Sequence, residues 1–250
     1  MIPKPKFPKR PLPTSQGLAW RQGFLNALQW VRPSQPNKPT PEGLAPGNKK
    51  IGDSGRVYSS VFVWNLPAVA SCPGASEWCL MHCYNADTRS DVFPVSEWQD
   101  NWSWFTYKPQ ELKMRIREQL DSAKRPTAVR IHSSGDFYSL SYTLFWIDIV
   151  RQFREVQFWA YTRSWTIPEL LPQLEVLRAE PNFELFASCD STMPHPPDGW
   201  RLSLVENEAE DFTKEPQDLL CPEQVGQVPN CASCGFCIER RSGNVLFLLH

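Results

Sequence analysis

Eight cysteines are the residues of this sequence whose types and spacing most clearly indicate chemistry. One group lies in the stretch ASCPGASEWCLMHCYN and has the spacing Cys-x6-Cys-x3-Cys, while a later group has the spacing Cys-x9-Cys-x2-Cys-x2-Cys. An eighth cysteine stands alone between them. The candidate metal ligands are therefore Cys72, Cys79 and Cys83, then Cys189, then Cys221, Cys231, Cys234 and Cys237.

The later group resembles an iron–sulfur loop, because consecutive two-residue gaps let three thiolates hold three corners of a four-iron cluster. Structural zinc is the competing interpretation, since four thiolates also satisfy zinc. Zinc sites usually pair two separated knuckles, so the spacing favours iron and sulfur. Eight cysteines make two sets of four, and the sequence predicts two 4Fe-4S clusters.

The first group has only three thiols, which would leave one iron of a cluster open to a substrate or to S-adenosylmethionine. Cys189 could close that corner, could be an inert apolar residue, or could be a catalytic thiol. Ligation is favoured here, because a lone reduced thiol beside a cluster is easily oxidised. His82 is next to Cys83 and is interpreted as a hydrogen-bond donor to the ligands.

The elements that must position these cysteines alternate between strand and helix patterns. Strands are predicted at Val57–Ala68, Thr127–His132 and residues 156–162, 182–188, 200–205 and 244–249. Helices are predicted at residues 109–123 and 139–154 and after a capping box formed by Thr166 and Glu169. Such a βαβ order predicts an α/β fold with a parallel sheet, either an incomplete (β/α)6 TIM-like barrel or an open sheet, with cysteine-rich metal-binding loops.

In both architectures the ligand site lies at the carboxyl ends of the strands. The Cys72–Cys83 loop follows the first predicted strand, and Ser134, Gly135 and Asp136 follow the second. Arg163 follows the third strand and Asp190 the fourth. Gly135 permits a close backbone approach, and Asp136, Arg163 and Asp190 would supply charge in a cleft, so these three are the candidate catalytic residues.

The first fifty residues differ from the rest of the chain. They hold ten of the 24 prolines, and nine basic residues against Glu42 alone. We expect residues 1–50 to form a proline-rich basic arm with a short helix at Gly17–Val31, and residues 51–250 to form a single α/β iron–sulfur domain that includes the cysteine-rich segment 221–237. The arm could bind nucleic acid, or it could be a solvated, disordered tail.

No apolar segment follows the basic N-terminus as in a signal peptide, and no apolar run reaches the ~20 residues that cross a bilayer. The sequence therefore predicts a cytoplasmic protein without a membrane partner. Thiols stay reduced in that compartment, and clustered cysteines there indicate metal or redox chemistry. An electron donor protein would be an expected partner.

The stretch from Cys72 to Tyr84, the later RIHSSGDFYS and the cysteine-rich tail ending in VLFLLH resemble the phage-associated gene product 88 family over residues 48–250. More distantly, a three-cysteine loop after the first strand resembles the radical S-adenosylmethionine enzymes. That likeness implies that Ser134, Gly135 and Asp136 bind the methionine amino group of the cofactor. The Cys-x3-Cys-x2-Cys spacing of those enzymes is absent, because Ala86 stands where their third cysteine would fall.

Two classes of function follow from these observations. The first is a redox or radical-type enzyme with one cluster at the barrel mouth and a second, auxiliary cluster. The second is a non-enzymatic iron–sulfur or zinc-stabilised module that binds nucleic acid or protein, in which the aromatic run WQDNWSWFTY could stack on bases.

Overall fold

An eight-stranded, mostly parallel sheet organises the structure, a computed structural model that describes residues 32–83, 85, 95–205 and 216–249. In spatial order the strands run β1-β2-β3-β4-β5-β6-β8-β7. Their bounds are β1 Ala45–Pro46, β2 Ser60–Trp64, β3 Thr127–Ile131, β4 Val156–Thr162, β5 Phe183–Ser188, β6 Arg201–Val205, β7 Leu219–Leu220 and β8 Val245–Phe247.

The sheet is open, with β1 at one edge and β7 at the other. Only β1 pairs antiparallel to its neighbour, and every other pairing is parallel. The predicted α/β class with a parallel sheet is therefore confirmed, and of the two predicted architectures the sheet takes the open one. All six predicted strands are present, whereas β1 and β7 were missed because two residues are too few to show a strand pattern.

The helices are α1 Glu77–Met81, α2 Val95–Tyr107, α3 Pro109–Ser122, α4 Leu140–Gln152, α5 Leu171–Ala179 and α6 Cys231–Cys234. Pro109 begins α3 where its missing N–H costs nothing, and Ser139 caps α4 by accepting a hydrogen bond from the Tyr142 N–H. The predicted capping box at Thr166 is wrong. Thr166 ends a 3₁₀ turn, its hydroxyl donates to the Arg163 carbonyl, and α5 begins at Leu171 without a side-chain cap.

The two faces of the sheet bury different partners, because side chains alternate along each strand. On one face Val129, Phe158 and Leu185 join a large core with residues of α3, α4 and α5. On the other face Ala128 and Trp159 pack against Ile51, Tyr58, Ala232 and Ile238. The cysteine-rich tail and the segment before β2 therefore cover the sheet face opposite the crossover helices.

Most of the aromatic run that could have stacked on bases lies inside the protein, although its last residue, Tyr107, is exposed. Trp98, Trp102, Trp104 and Phe105 on α2 are all buried, and the last three belong to the main core. Since a buried ring has no free face for a base, this run contributes to packing.

Residues 32–50 pack onto the domain that was predicted to begin at residue 51. Leu44 is buried in the main core, β1 pairs with β2, and the carbonyl of Lys50 accepts a hydrogen bond from the Cys231 N–H. The rest of the proposed basic arm, including the predicted helix Gly17–Val31, lies outside the described residues. Within the described residues, no helix combines the length and apolar character needed to cross a membrane.

Candidate metal sites

The Cys72–Cys83 loop follows β2, and it is tied to the carboxyl end of β3. The side-chain oxygen of Asn65 accepts hydrogen bonds from the Ser133 and Ser134 N–H groups at 2.7 and 3.1 Å. The Asp136 N–H in turn donates to the Ser71 carbonyl at 3.0 Å. The first thiol, Cys72, therefore comes directly after a segment that is fixed against the neighbouring strand.

Gly135 is required by this contact between the two strand ends. Its φ of +83° is unfavourable for residues with a side chain, and a Cβ there would lie 2.6 Å from Leu66 Cβ and 2.7 Å from Ser71 Oγ. The predicted close backbone approach is present, but its partner is the loop before Cys72.

Asp136 has no free oxygen lone pair to offer. Its Oδ1 accepts hydrogen bonds from the Phe137 N–H and the Thr162 hydroxyl, and its Oδ2 accepts from the Arg163 and Ser164 N–H groups, all between 2.6 and 3.2 Å. These four bonds use the four acceptor positions of a carboxylate. Asp136 therefore holds the ends of β3 and β4 together, and this arrangement gives it a positioning role.

Arg163 and Asp190 form a buried ion pair behind the cysteine loop. The Arg163 Nη1 donates to Asp190 Oδ2 and, at 3.2 Å, to the hydroxyl of Ser76. Ser76 also donates to Asp190 Oδ2 at 2.5 Å and caps α1 by accepting from the Cys79 N–H at 3.0 Å. Through this chain of contacts, the charged pair fixes the turn that presents Cys79.

Burial alone would raise the pKa of Asp190, but hydrogen bonds from Ser76 and Thr192 and the charge of Arg163 lower it below its usual value. Asp190 is fully buried and Arg163 is 11% exposed. The pair is therefore charged at neutral pH, and neither member is free to react without breaking it.

In the first group, neighbouring thiols contribute to the pKa values of Cys72 and Cys79. Burial raises the pKa of Cys72, and the charges of Asp136, Cys83 and Cys79 raise it further. Burial also raises the pKa of Cys79 to about 11, against the opposing effect of Arg163. Close thiols that hold their protons in this way are suited to a cation, because a bound metal supplies the positive charge that thiolates need.

Cys189 lines the same cavity as this group but lies in the main core. Its thiol is 3.6 Å from the Ala187 carbonyl, to which it donates, and the residue is 1% exposed within the main core. Burial raises its pKa to about 12, and the charges that modify it are those of Arg163 and Asp190. No other cysteine is among the groups that modify this pKa, unlike those of Cys72 and Cys79, and the assignment of Cys189 as the fourth ligand stays a prediction.

The later group is assembled by the tail and by the segment before β2. Cys221 follows β7, and its N–H donates to the Leu246 carbonyl of β8 at 2.8 Å. The short helix α6, capped by Asn230, carries Cys231 and Cys234. The N–H groups at its start donate to the carbonyls of Lys50 and Ile51 at 3.0 and 2.9 Å. Residues 50–51 therefore fix the position of α6.

Charged side chains contribute to the pKa values of three thiols of this second group, Cys231, Cys234 and Cys237. Burial raises the pKa of Cys231 to about 11 and that of Cys237 to about 12. The charges of Arg130 and Lys50 oppose the rise in the pKa of Cys231. At Cys237 a hydrogen bond from Tyr161 and the charge of Arg201 oppose it. The charge of Arg241 opposes the rise in the pKa of Cys234. Four thiolates with these cations would suit a metal centre of net negative charge.

One cavity of about 800 Å³ joins the two groups, and all eight cysteines line it. It also contacts Ser134, Gly135, Asp136 and Arg163, so apart from Asp190 the predicted site residues lie together on its wall. Within the described part of the chain, no three Cys, His, Asp or Glu side chains form a preformed metal-binding group.

Sequence reasoning missed several residues of this cavity. His132 and Arg130 lie on its wall, as does Tyr161. The signal that could have identified the last two is alternation, because Arg130 and Tyr161 occupy strand positions whose neighbours are buried on the opposite face. His132 has a φ of 69°, and its Nε2 contacts the Tyr142 hydroxyl at 2.8 Å, whereas its buried Nδ1 has no partner among the described residues.

Comparison with known proteins confirms the resemblance to the gene product 88 family and does not support the more distant one to the radical S-adenosylmethionine enzymes. The model of the family described as Gene product 88 matches residues 37–240. The Gene 88 protein of Mycobacterium phage D29 is 30% identical over 203 residues, with 71% of this chain and 81% of the relative covered. The Gene 88 protein of Mycobacterium phage L5 is 29% identical over 205 residues, with the same coverage. No solved structure matches the chain. The chain therefore belongs to the gene product 88 family.

Proposed function

We propose that this protein carries two iron–sulfur clusters and uses them in redox or radical chemistry on a molecule bound between them. The observation that carries this proposal is that all eight cysteines line one cavity. Part of that lining follows the carboxyl ends of β2, β3, β4 and β5, the edge at which open parallel sheets bind ligands.

The first cluster is held by Cys72, Cys79 and Cys83. The contributions of Cys79 and Cys83 to the pKa of Cys72 support a common site. The charges that modify the pKa of Cys189 are instead those of Arg163 and Asp190. One iron of this cluster would therefore have no protein thiolate and could bind a small molecule from the cavity.

The second cluster is held by Cys221, Cys231, Cys234 and Cys237, which would saturate it. A saturated cluster suits an auxiliary electron carrier. The cations that act on Cys231, Cys234 and Cys237 support this assignment, because four thiolates around an iron–sulfur core leave net negative charge in a poorly solvated place.

When bound, such clusters supply one-electron transfer, and the chain's own residues would determine where it is used. Asp136 holds the carboxyl ends of β3 and β4 in register. Arg163 and Asp190 hold the turn that carries Cys79. The three predicted catalytic residues would thus position the cluster ligands, and the open iron would supply a binding position for the reacting molecule.

Structural zinc remains the second candidate for the later group alone. The observation that favours it is that α6 links the tail to residues 50–51 and that Arg56 and Val57 donate to Ser233 Oγ and the Ala232 carbonyl. A zinc ion there would join Cys221 to the α6 segment, and α6 in turn contacts residues 50–51 and 56–57 through hydrogen bonds.

Electron paramagnetic resonance of anaerobically prepared, dithionite-reduced protein tests the proposal. We expect two overlapping signals, of which Cys79→Ser removes one and Cys234→Ser the other. Adding S-adenosylmethionine to the parent protein then probes the open iron, and a perturbed first signal would identify that cofactor as its ligand. If both variants keep the parent spectrum, or if the parent has no signal, the two-cluster assignment is wrong.

A further inference from the structure

The cavity is lined by one arginine, Arg130, that forms no ion pair with a carboxylate of the described residues. Arg130 lies on β3, on the sheet face that the tail covers, and its guanidinium lies 5.1 Å from the centroid of the Tyr161 ring. The charge of Arg130 lowers the pKa of His132, which precedes the Ser133–Asp136 turn of the first site. The same charge opposes the rise in the pKa of Cys231 in the second site. Arg130 therefore lines the cavity that both groups of cysteines also line.

The lysine and the other arginine on the same wall pair with carboxylates. Lys50 pairs with Glu223 at 3.8 Å, and Arg163 pairs with Asp190. Arg130 makes one hydrogen bond, from its Nε to the His132 carbonyl at 3.3 Å. Among the residues that the structure describes, no carboxylate lies within ion-pair distance of it.

Most of the hydrogen-bonding capacity of Arg130 is thus unused. A guanidinium has five N–H donors in a planar fork, and the contact to His132 occupies one of them. A partly buried arginine has lost part of its hydration, and the Tyr161 ring and the His132 carbonyl are the partners that the described residues supply. The two terminal nitrogens suit the bidentate binding of a carboxylate or phosphate.

The rest of the wall shows what such an anion would be attached to. The cavity is bordered by apolar and aromatic side chains from β2, β8 and the tail, which are Val63, Phe236, Ile238, Val245, Phe247 and Leu248. A cavity of about 800 Å³ is in the range of small-molecule sites. Its chemistry favours a ligand with an apolar body and one anionic end.

We propose that the cavity binds an organic anion, whose carboxylate or phosphate group is held by Arg130 and whose apolar body extends between the two groups of cysteines. This anion is the substrate class of the proposed iron–sulfur site, so its role as a substrate rests on that proposal. Its binding does not, because Arg130 and the apolar wall belong to the chain itself.

Isothermal titration of the full chain with four eight-carbon probes tests the inference. We expect octanoate, octyl phosphate or both to bind at least about tenfold more tightly than octanol and octyltrimethylammonium, since a hydrogen-bonded charge pair contributes about ten- to hundredfold in affinity. The comparison between octanoate and octyl phosphate identifies which oxyanion the site prefers.

Variants of Arg130 complete the test. Arg130→Gln should lose about tenfold or more in affinity for the preferred anion, and Arg130→Lys should lose less because it keeps the charge. The matched control is Arg115→Gln, an exposed arginine on α3 whose loss should leave binding unchanged. Near-ultraviolet circular dichroism confirms that each variant keeps its packing.

Titrations of both metal-free and cluster-loaded protein separate this inference from the proposed function. Anion binding that persists without iron supports the site even if no cluster is ever found. Octanol binding as tightly as octanoate, or Arg130→Gln binding the anion like the parent, would overturn it. A change confined to the reduction potential of the second cluster in Arg130→Gln would overturn it as well, because Arg130 would then serve the cluster charge.

Discussion

Replacing Arg163 with methionine should destabilise the protein and also loosen the Cys72–Cys83 loop. The variant leaves the Asp190 carboxylate fully buried without its cation. Breaking a buried pair in this way typically costs about 3–5 kcal/mol. Three hydrogen bonds to Asp190, from Ser76 and Thr192, remain and partly stabilise the charge. We therefore expect the lower end, about 3 kcal/mol in the free energy of unfolding, or about 6–12 °C in Tm.

Urea denaturation of the metal-free protein, followed by circular dichroism, measures this loss as a lower midpoint at an unchanged slope. The control is Arg154→Met, because Arg154 is half exposed and Glu180 keeps its second partner, Arg151. That control should lose less than about 1 kcal/mol. The double variant Arg163→Met/Asp190→Asn should recover part of the loss, since it removes the uncompensated charge. Equal stability of Arg163→Met and Arg154→Met would refute the reasoning.

Three further predictions follow from the same contacts. Gly135→Ala should lower the free energy of unfolding by about 3 kcal/mol, because of its positive φ and the clash with Leu66 and Ser71. Gly199→Ala, with φ +81° and no atom within 4 Å of its Cβ, should lower it by about 1 kcal/mol. The urea midpoints of the two variants check the difference. Burial, aided by Arg130, lowers the pKa of His132 to about 3. The unfolded chain therefore binds a proton below about pH 6.5 that the folded protein does not, and the free energy of unfolding should fall by up to about 1.4 kcal/mol per pH unit between pH 6 and 4. Denaturation series at each pH measure this slope, and His132→Gln should reduce it. Equal slopes for the variant and the parent would contradict this. Cys189→Ser should keep the iron and the resonance signal of the first site, and loss of that signal would instead identify Cys189 as a ligand.

The strands and most crossover helices could be predicted from the sequence because each carries its own pattern. Residues 156–162 are rich in β-branched and aromatic side chains, and Ser139 and Pro109 mark helix starts. The strand β1 could not be predicted in this way, since a two-residue pairing depends on the neighbouring β2. Helix α2 was missed because its four buried aromatic side chains leave no clear polar face.

The candidate site was only partly predictable for a related reason. Strand order alone brings the Cys72–Cys83 loop, Asp136, Arg163 and Asp190 to one edge of the sheet. The roles of those residues depend on hydrogen bonds across that edge, such as the four that Asp136 accepts, and no local pattern contains them. That the tail cysteines line the same cavity as Cys72 could not be predicted either, because the tail reaches it by covering the opposite face of the sheet.

The content of iron, acid-labile sulfide and zinc in anaerobically prepared protein tests the central claim most directly. Two 4Fe-4S clusters predict about eight iron and about eight sulfide per chain, with little zinc. About four of each, with one zinc, would restrict the iron–sulfur assignment to one group of cysteines. Stoichiometric zinc without acid-labile sulfide would contradict the account.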